Sequence, residues 1–148
     1  MNPSRRLKPI KKLADNKEKK AAQNLGKSIE LRKQNLDKLG QLVNYRTEYV
    51  QSMAIKTQRG MTGDKLQQYH IFLTKLDTAI EQQQLVVQQS EEALSQRKVD
   101  WQSDNSRANA IDKAMKHLQH QESKAGDKKE SKQVDELSTQ AFLRRKQF

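Results

Sequence analysis

From Leu66 to Leu118 the chain returns to one face at alternating steps of three and four residues without a slip, and that repeat limits what it can fold into. The steps meet Leu66, Tyr69, Leu73, Leu76, Ile80, Gln83, Val87, Ser90, Leu94, Arg97, Trp101, Asp104, Ala108, Ile111, Met115 and Leu118. Twelve of these sixteen are apolar, so the spacing is that of a coiled coil rather than of a helix in a globular domain. The polar exceptions, Gln83, Ser90, Arg97 and Asp104, fall every seventh residue. One column of the seam is therefore weakened, which lowers stability there and either fixes register or leaves room for another packing.

The first half repeats the spacing. Ala22, Leu25, Ile29, Arg32, Leu36, Leu39, Val43, Arg46, Val50 and Met53 step in the same way, and eight of the ten are apolar, which predicts a partner helix. Between the halves, Gly60 and Gly63 form the main break. Gly60 suits a helix C-terminal cap, and Thr62 or Asp64 can cap the helix that follows. A short connection between long helices favours an antiparallel pair. With the tip near residue 60, seam partners sum to about 119, matching Met53 with Leu66, Val43 with Leu76, Leu39 with Ile80 and Leu25 with Leu94. Arg46 then faces Leu73 and Arg32 faces Val87, each laying its stem on the seam. The expected fold is all-α: one domain over residues 1–148, a long antiparallel two-helix coiled-coil hairpin. Helix one covers about 5–55, the tip 56–64 and helix two about 65–122. Residues 123–148 open with the small, charged stretch 123–132, read as a break. A short amphipathic piece with Val134, Leu137, Ala141 and Phe142 follows, free to dock or stay loose.

Composition agrees. Hydrophobic residues make up 33% and charged residues 32%, too little apolar matter for a thick core, and both prolines lie at or before Pro9. With no cysteine there is neither a disulfide framework nor a thiolate metal site, as suits a reducing cytoplasm. No signal peptide and no membrane span are expected. The net charge of +11 is uneven, with +6 in residues 1–20. A basic terminus points to an anionic partner (an acidic protein surface, a membrane surface or nucleic acid), or serves only as a solvated tail.

Catalysis is not expected. Gly60 and Gly63 lack the Lys-Ser/Thr pair of a phosphate loop, and a two-helix seam offers no enclosed pocket. His117 and His120 share a helix face, and a surface pair is the better reading than a metal site. No cofactor is expected. One feature exceeds the seam: Leu42, Tyr45 and Tyr49 on helix one, and Phe72 and Ala79 on helix two, flank it at similar height near the tip. Such a second apolar stripe either marks a partner site or thickens the seam.

Tyr45-Arg46-Thr47-Glu48-Tyr49, the Gly60 tip, and Gln68-Tyr69-His70-Ile71-Phe72-Leu73 with Leu76 and Ala79-Ile80 resemble the flagellar export protein FliJ family over about residues 7–145. The resemblance implies a cytoplasmic, non-enzymatic part of the flagellar type III export apparatus, peripheral at the inner face of the cell membrane and similar to the stalk (gamma) subunit of rotary ATPases. It implies three partners: the hexameric export ATPase FliI, whose pore takes the helix ends; the export-gate protein FlhA, towards which the tip half reaches; and empty export chaperones. By matching position, the gate contact would be Leu42, Tyr45, Tyr49, Phe72, Leu76 and Ala79. Lys38 and Gln83 depart from the Gln and His that the family pattern leads to. Arg5, Arg6, Lys11 and Lys12, with Arg144, Arg145 and Lys146, are the candidates for the ATPase ring, through a salt-sensitive attraction. A generic coiled-coil scaffold and a nucleic-acid-binding coil are the alternatives. The second requires a basic stripe interleaved with stacking residues, whereas the Lys/Arg excess and the aromatics lie apart.

Overall fold

The computed structural model describes residues 2–146, the last of these by its backbone alone. Two helices account for it: α1, Pro3–Gln58, and α2, Gly63–Lys146. The fold is an all-α helical hairpin. Its contacts group into two units, one of Met1–Lys19 with Ser103–Phe148 and the other of Lys20–Gln102.

Each end of the turn has a local cause. Gly60 has φ +95°, a left-handed conformation that other residues adopt at a cost, and its N–H donates to the Thr57 carbonyl at 3.1 Å. Thr62 caps α2: its Oγ1 accepts from the Lys65 N–H and its carbonyl from the Leu66 N–H. Asp64 in the first turn complements the helix dipole. At the other end Pro3 opens α1, where its missing N–H costs nothing, and the Asn2 carbonyl accepts from Arg5 and Arg6. Pro9 lies inside α1, as the expected start near residue 5 already implies, and the helix forgoes one backbone hydrogen bond there.

Within Lys20–Gln102 the two helices run antiparallel, since Arg32 meets Glu91 while Arg46 meets Asp77. Partner numbers sum to 117 for Tyr45 with Phe72 and 118 for Asn35 with Gln83, close to the expected register. The two arginines depart from their expected neighbours: each guanidinium reaches past the seam to a carboxylate, so both pairs sum to 123. On α2 the expected seam is observed. From Leu66 to Trp101 every third or fourth step is buried or half-buried except Arg97, with Leu76 and Val87 at 7% exposure.

On α1 the seam differs. The covered positions are Ala21, Leu25, Ser28, Arg32, Asn35, Leu39, Leu42, Arg46, Tyr49 and Met53. The column Leu25, Arg32, Leu39, Arg46, Met53 is as expected. The other is displaced by one residue, so Ala22, Ile29, Leu36 and Val43 stand outside the seam and only Val50 of that column is half-buried. Apolar count favours the wrong column; polar pairing and ring size decide for the right one. Gln83 on α2 is 6% exposed, and its amide needs an acceptor, which it finds at 2.9 Å in the Asn35 carbonyl. Tyr49 turns inward between Tyr69 and Phe72. Ser90, also buried, returns its hydroxyl to the Val87 carbonyl at 2.8 Å. The polar column of α2 is thus satisfied where it is most buried.

In the other unit, Lys17 lies against Asp104, Lys11 against Asp112 and Ser4 against Glu122, again an antiparallel pair. Ala14, Ala108 and Met115 are its buried apolar residues. The Ser4 hydroxyl and N–H both donate to the Glu122 carboxylate, at 2.6 and 3.0 Å. That bond fixes the start of α1 and, with the hydroxyl donation first in importance, holds the Glu122 carboxyl below its usual range. Beyond Glu122 the break expected at 123–132 is not present. α2 continues through Gly126 to Lys146, with every residue from Ser123 to Arg145 exposed. A single interior glycine costs about 1 kcal/mol, too little to stop a helix otherwise rich in Lys, Glu, Gln, Leu and Ala.

Candidate functional site

The side chains with most chemical character gather beside the turn of the Lys20–Gln102 unit. Tyr45, Tyr49, Tyr69 and Phe72 form one cluster. Seven-residue spacing puts Tyr49 on the seam with Leu42 and brings it under α2, where its ring lies 4.7 Å from Phe72 and 5.1 Å from Tyr69, both tilted. Tyr45, one turn back and outside the seam, meets Phe72 edge-on at 6.2 Å. Tilted and edge-on rings are the favourable arrangements for aromatic pairs, so the cluster is a rigid block. Desolvation, then the neighbouring Tyr69 and Tyr45, push the Tyr49 phenol above its ordinary range, and it stays neutral at physiological pH.

A basic rim stands next to this block. Lys56 donates to the Tyr69 hydroxyl at 2.9 Å and lies 5.6 Å from the centre of that ring, a cation–π distance. The hydrogen bond to Tyr69 raises its pKa further, so it is charged at any physiological pH. With Arg59, Lys65 and Met61, these aromatics line an open cleft of about 700 Å³ that no carboxylate lines. The arrangement offers aromatic surface beside positive charge.

The six residues matched to a gate contact do not share one role. Leu76 is buried at 7%, and Leu42 and Tyr49 are half-buried in the seam, not beside it as their apolar surroundings suggest. Tyr45, 48% exposed, and half-buried Phe72 and Ala79 present the face that a partner can reach. Sequence reasoning passed over the rim of Lys56, Arg59 and Lys65, although three cations within ten residues of a turn were a visible signal.

The basic candidates of the other unit separate. Arg5, Lys8 and Lys12 border an open cleft of about 1060 Å³, shared with Pro9, Met115 and Lys116. Lys11 is held at 3.0 Å by Asp15, the main cause of its raised pKa, and at 3.6 Å by Asp112, so part of its charge is spent internally. Arg6 is exposed. Arg144 and Arg145 are exposed on α2 more than twenty residues past Glu122, the partner of Ser4. At 1.5 Å per residue that is roughly 33 Å along the helix, so the two basic groups are not brought together. The Lys146 side chain lies outside the described residues. Among the described residues no group of three or more His, Asp or Glu could hold a metal ion, and no helix is long and apolar enough to cross a membrane.

No curated protein and no solved structure matches the chain. The family of flagellar FliJ proteins does, over residues 3–147, which takes in both helices, the turn and the aromatic cluster. With nearly its whole length accounted for by one family, the chain belongs to the flagellar FliJ proteins, components of the flagellar protein-export apparatus.

Proposed function

We propose that this protein is an adaptor of flagellar export that joins the hexameric export ATPase FliI, the export chaperones and the gate protein FlhA, working in the cytoplasm at the inner face of the membrane. The observation that carries the reading is the aromatic block beside the turn. Tyr45 is a large ring left 48% exposed, edge-on to Phe72 and beside a cleft free of carboxylates. A monomeric hairpin gains little from that exposure, whereas buried Tyr anchors dominate many protein interfaces. Tyr45, Phe72 and Ala79 form the gate contact, and Leu42, Tyr49 and Leu76 hold the rings in place from below.

The basic start of α1 serves the ATPase. Arg5, Arg6 and Lys12 offer charge to an acidic ring lumen, with Lys11 partly neutralised by Asp15 and Asp112. Arg144, Arg145 and Lys146 reach the same partner from further along α2. The test is a Tyr45→Ala chain assayed for FlhA binding and for swimming. Loss of both with an unchanged melting curve is the expected result. Normal binding and swimming would remove Tyr45 from the gate contact and the reading with it.

A further inference from the structure

The displaced seam of α1 leaves a second coiled-coil face with nothing on it. Ile29, Leu36 and Val43 repeat every seven residues and are 52%, 38% and 43% exposed, while Ser28 and Asn35 occupy the seam beside them. Exposed large apolar residues at heptad spacing are a seam without a partner. On the same face lie Gly26 and Gly40, three residues before Ile29 and Val43 respectively. A glycine inside a helix weakens it relative to alanine, and a Cβ at either position would meet nothing within 4 Å. Neither glycine therefore serves the packing of α1 on α2. Their absent side chains instead admit the backbone of another helix close to α1.

We propose that this face, on the other side of the seam from Tyr45 and Phe72, docks one amphipathic helix of a partner protein. Three observations define the occupant. The column is continuous with the established seam, offset from it by one residue and sharing its repeat, so the fitting shape is a third helix extending the same coiled coil. It spans about four heptads from Ala22 to Val50, which suits a helix of roughly twenty to twenty-eight residues. The charge around it differs from that of the whole chain. Against a net charge of +11, the outer flank carries Glu30 and Asp37 and the inner flank Asp77 and Glu91, the last two already paired with Arg46 and Arg32. Lys33 is the one cation in the middle of the face. The incoming helix carries apolar residues at three- and four-residue steps, Lys or Arg opposite Glu30 and Asp37, and an acid opposite Lys33.

A photoreactive benzoylphenylalanine at position 36 of the full chain, in flagellated cells, tests this against the same group at Gln34, exposed on the opposite flank of α1. The expected result is an adduct from position 36 alone, whose cross-linked peptide is an amphipathic helix with basic flanks. Adding Gly26→Gln with Gly40→Gln should keep or raise the melting midpoint, because glutamine is the better helix former, and yet remove most of the adduct. The proposal is overturned by equal yields at 36 and 34, by an adduct with a second copy of this chain, or by an adduct unaffected by the glutamines. A fall in the melting midpoint of the glutamine chain would also overturn it, since the glycines would then belong to the hairpin's own packing.

Discussion

The rotational setting of α1 can be tested by stability alone, with Leu76→Ala and Leu36→Ala compared in one chain background. Leu76 is 7% exposed and Leu36 is 38% exposed. Truncating leucine to alanine removes three carbons, about 2.4 kcal/mol at roughly 0.8 kcal/mol per buried methylene, and the cavity left at a closed site brings the loss to about 2.5–4 kcal/mol. Leu36 faces solvent on one side and leaves no cavity, so its loss is about 1 kcal/mol or less, partly offset by the higher helix propensity of alanine. Urea unfolding followed by helical circular dichroism measures both. At roughly 2–4 °C per kcal/mol for a chain of this size, Leu76→Ala lowers the melting midpoint by about 5–15 °C, and Leu36→Ala by no more than about 4 °C. Equal losses would mean that the Ile29, Leu36, Val43 column enters the seam. That result would refute the setting of α1 and remove the exposed face with it.

Replacing Gln83 by Leu should raise stability by about 1 kcal/mol while loosening register, because an apolar seam position no longer requires the Asn35 carbonyl. Cysteine pairs at 42/76 and 43/76, introduced with Gln83→Leu into a chain that has no cysteine, would report mixed cross-linking in place of the 42/76 link alone. Acid should release the start of α1. The Glu122 carboxyl is depressed in the folded chain, so its stabilisation is complete above the ordinary carboxylate range and is lost as pH falls through and below roughly 4. Amide exchange of residues 4–8 should quicken over that window, and Glu122→Gln should make it fast at neutral pH and flatten the dependence. Stimulation of FliI ATP hydrolysis should fall when Arg5, Arg6 and Lys12 are changed to Ala together, and the remaining effect should depend less on salt. Unchanged stimulation and salt dependence would dissociate the basic start of α1 from the ring.

Periodicity alone determined much of this protein. Steps of three and four from Leu66 named the α2 face that the structure covers, and Gly60 and Thr62 marked the turn, because a left-handed residue and a cap are local demands. The length of α2 was less legible. The charged run 123–132 is unfavourable only by an amount that neighbouring good helix formers outweigh. Only one column of the α1 seam, Leu25 to Met53, was legible from apolar counts. Two columns one residue apart, Ile29–Leu36–Val43 and Ser28–Asn35–Leu42, lie about 100° apart around a helix. Only the partner decides which turns inward. The aromatic residues were legible as a group, but not their roles, since Tyr45 and Tyr49 look alike in sequence. Tertiary structure places Tyr49 under Phe72 and leaves Tyr45 outside, because a buried Gln83 must find the Asn35 carbonyl and the rings must pack at a tilt. A helix carries its own repeat in its sequence, but its rotation is set by the polar groups and rings that the opposite helix presents.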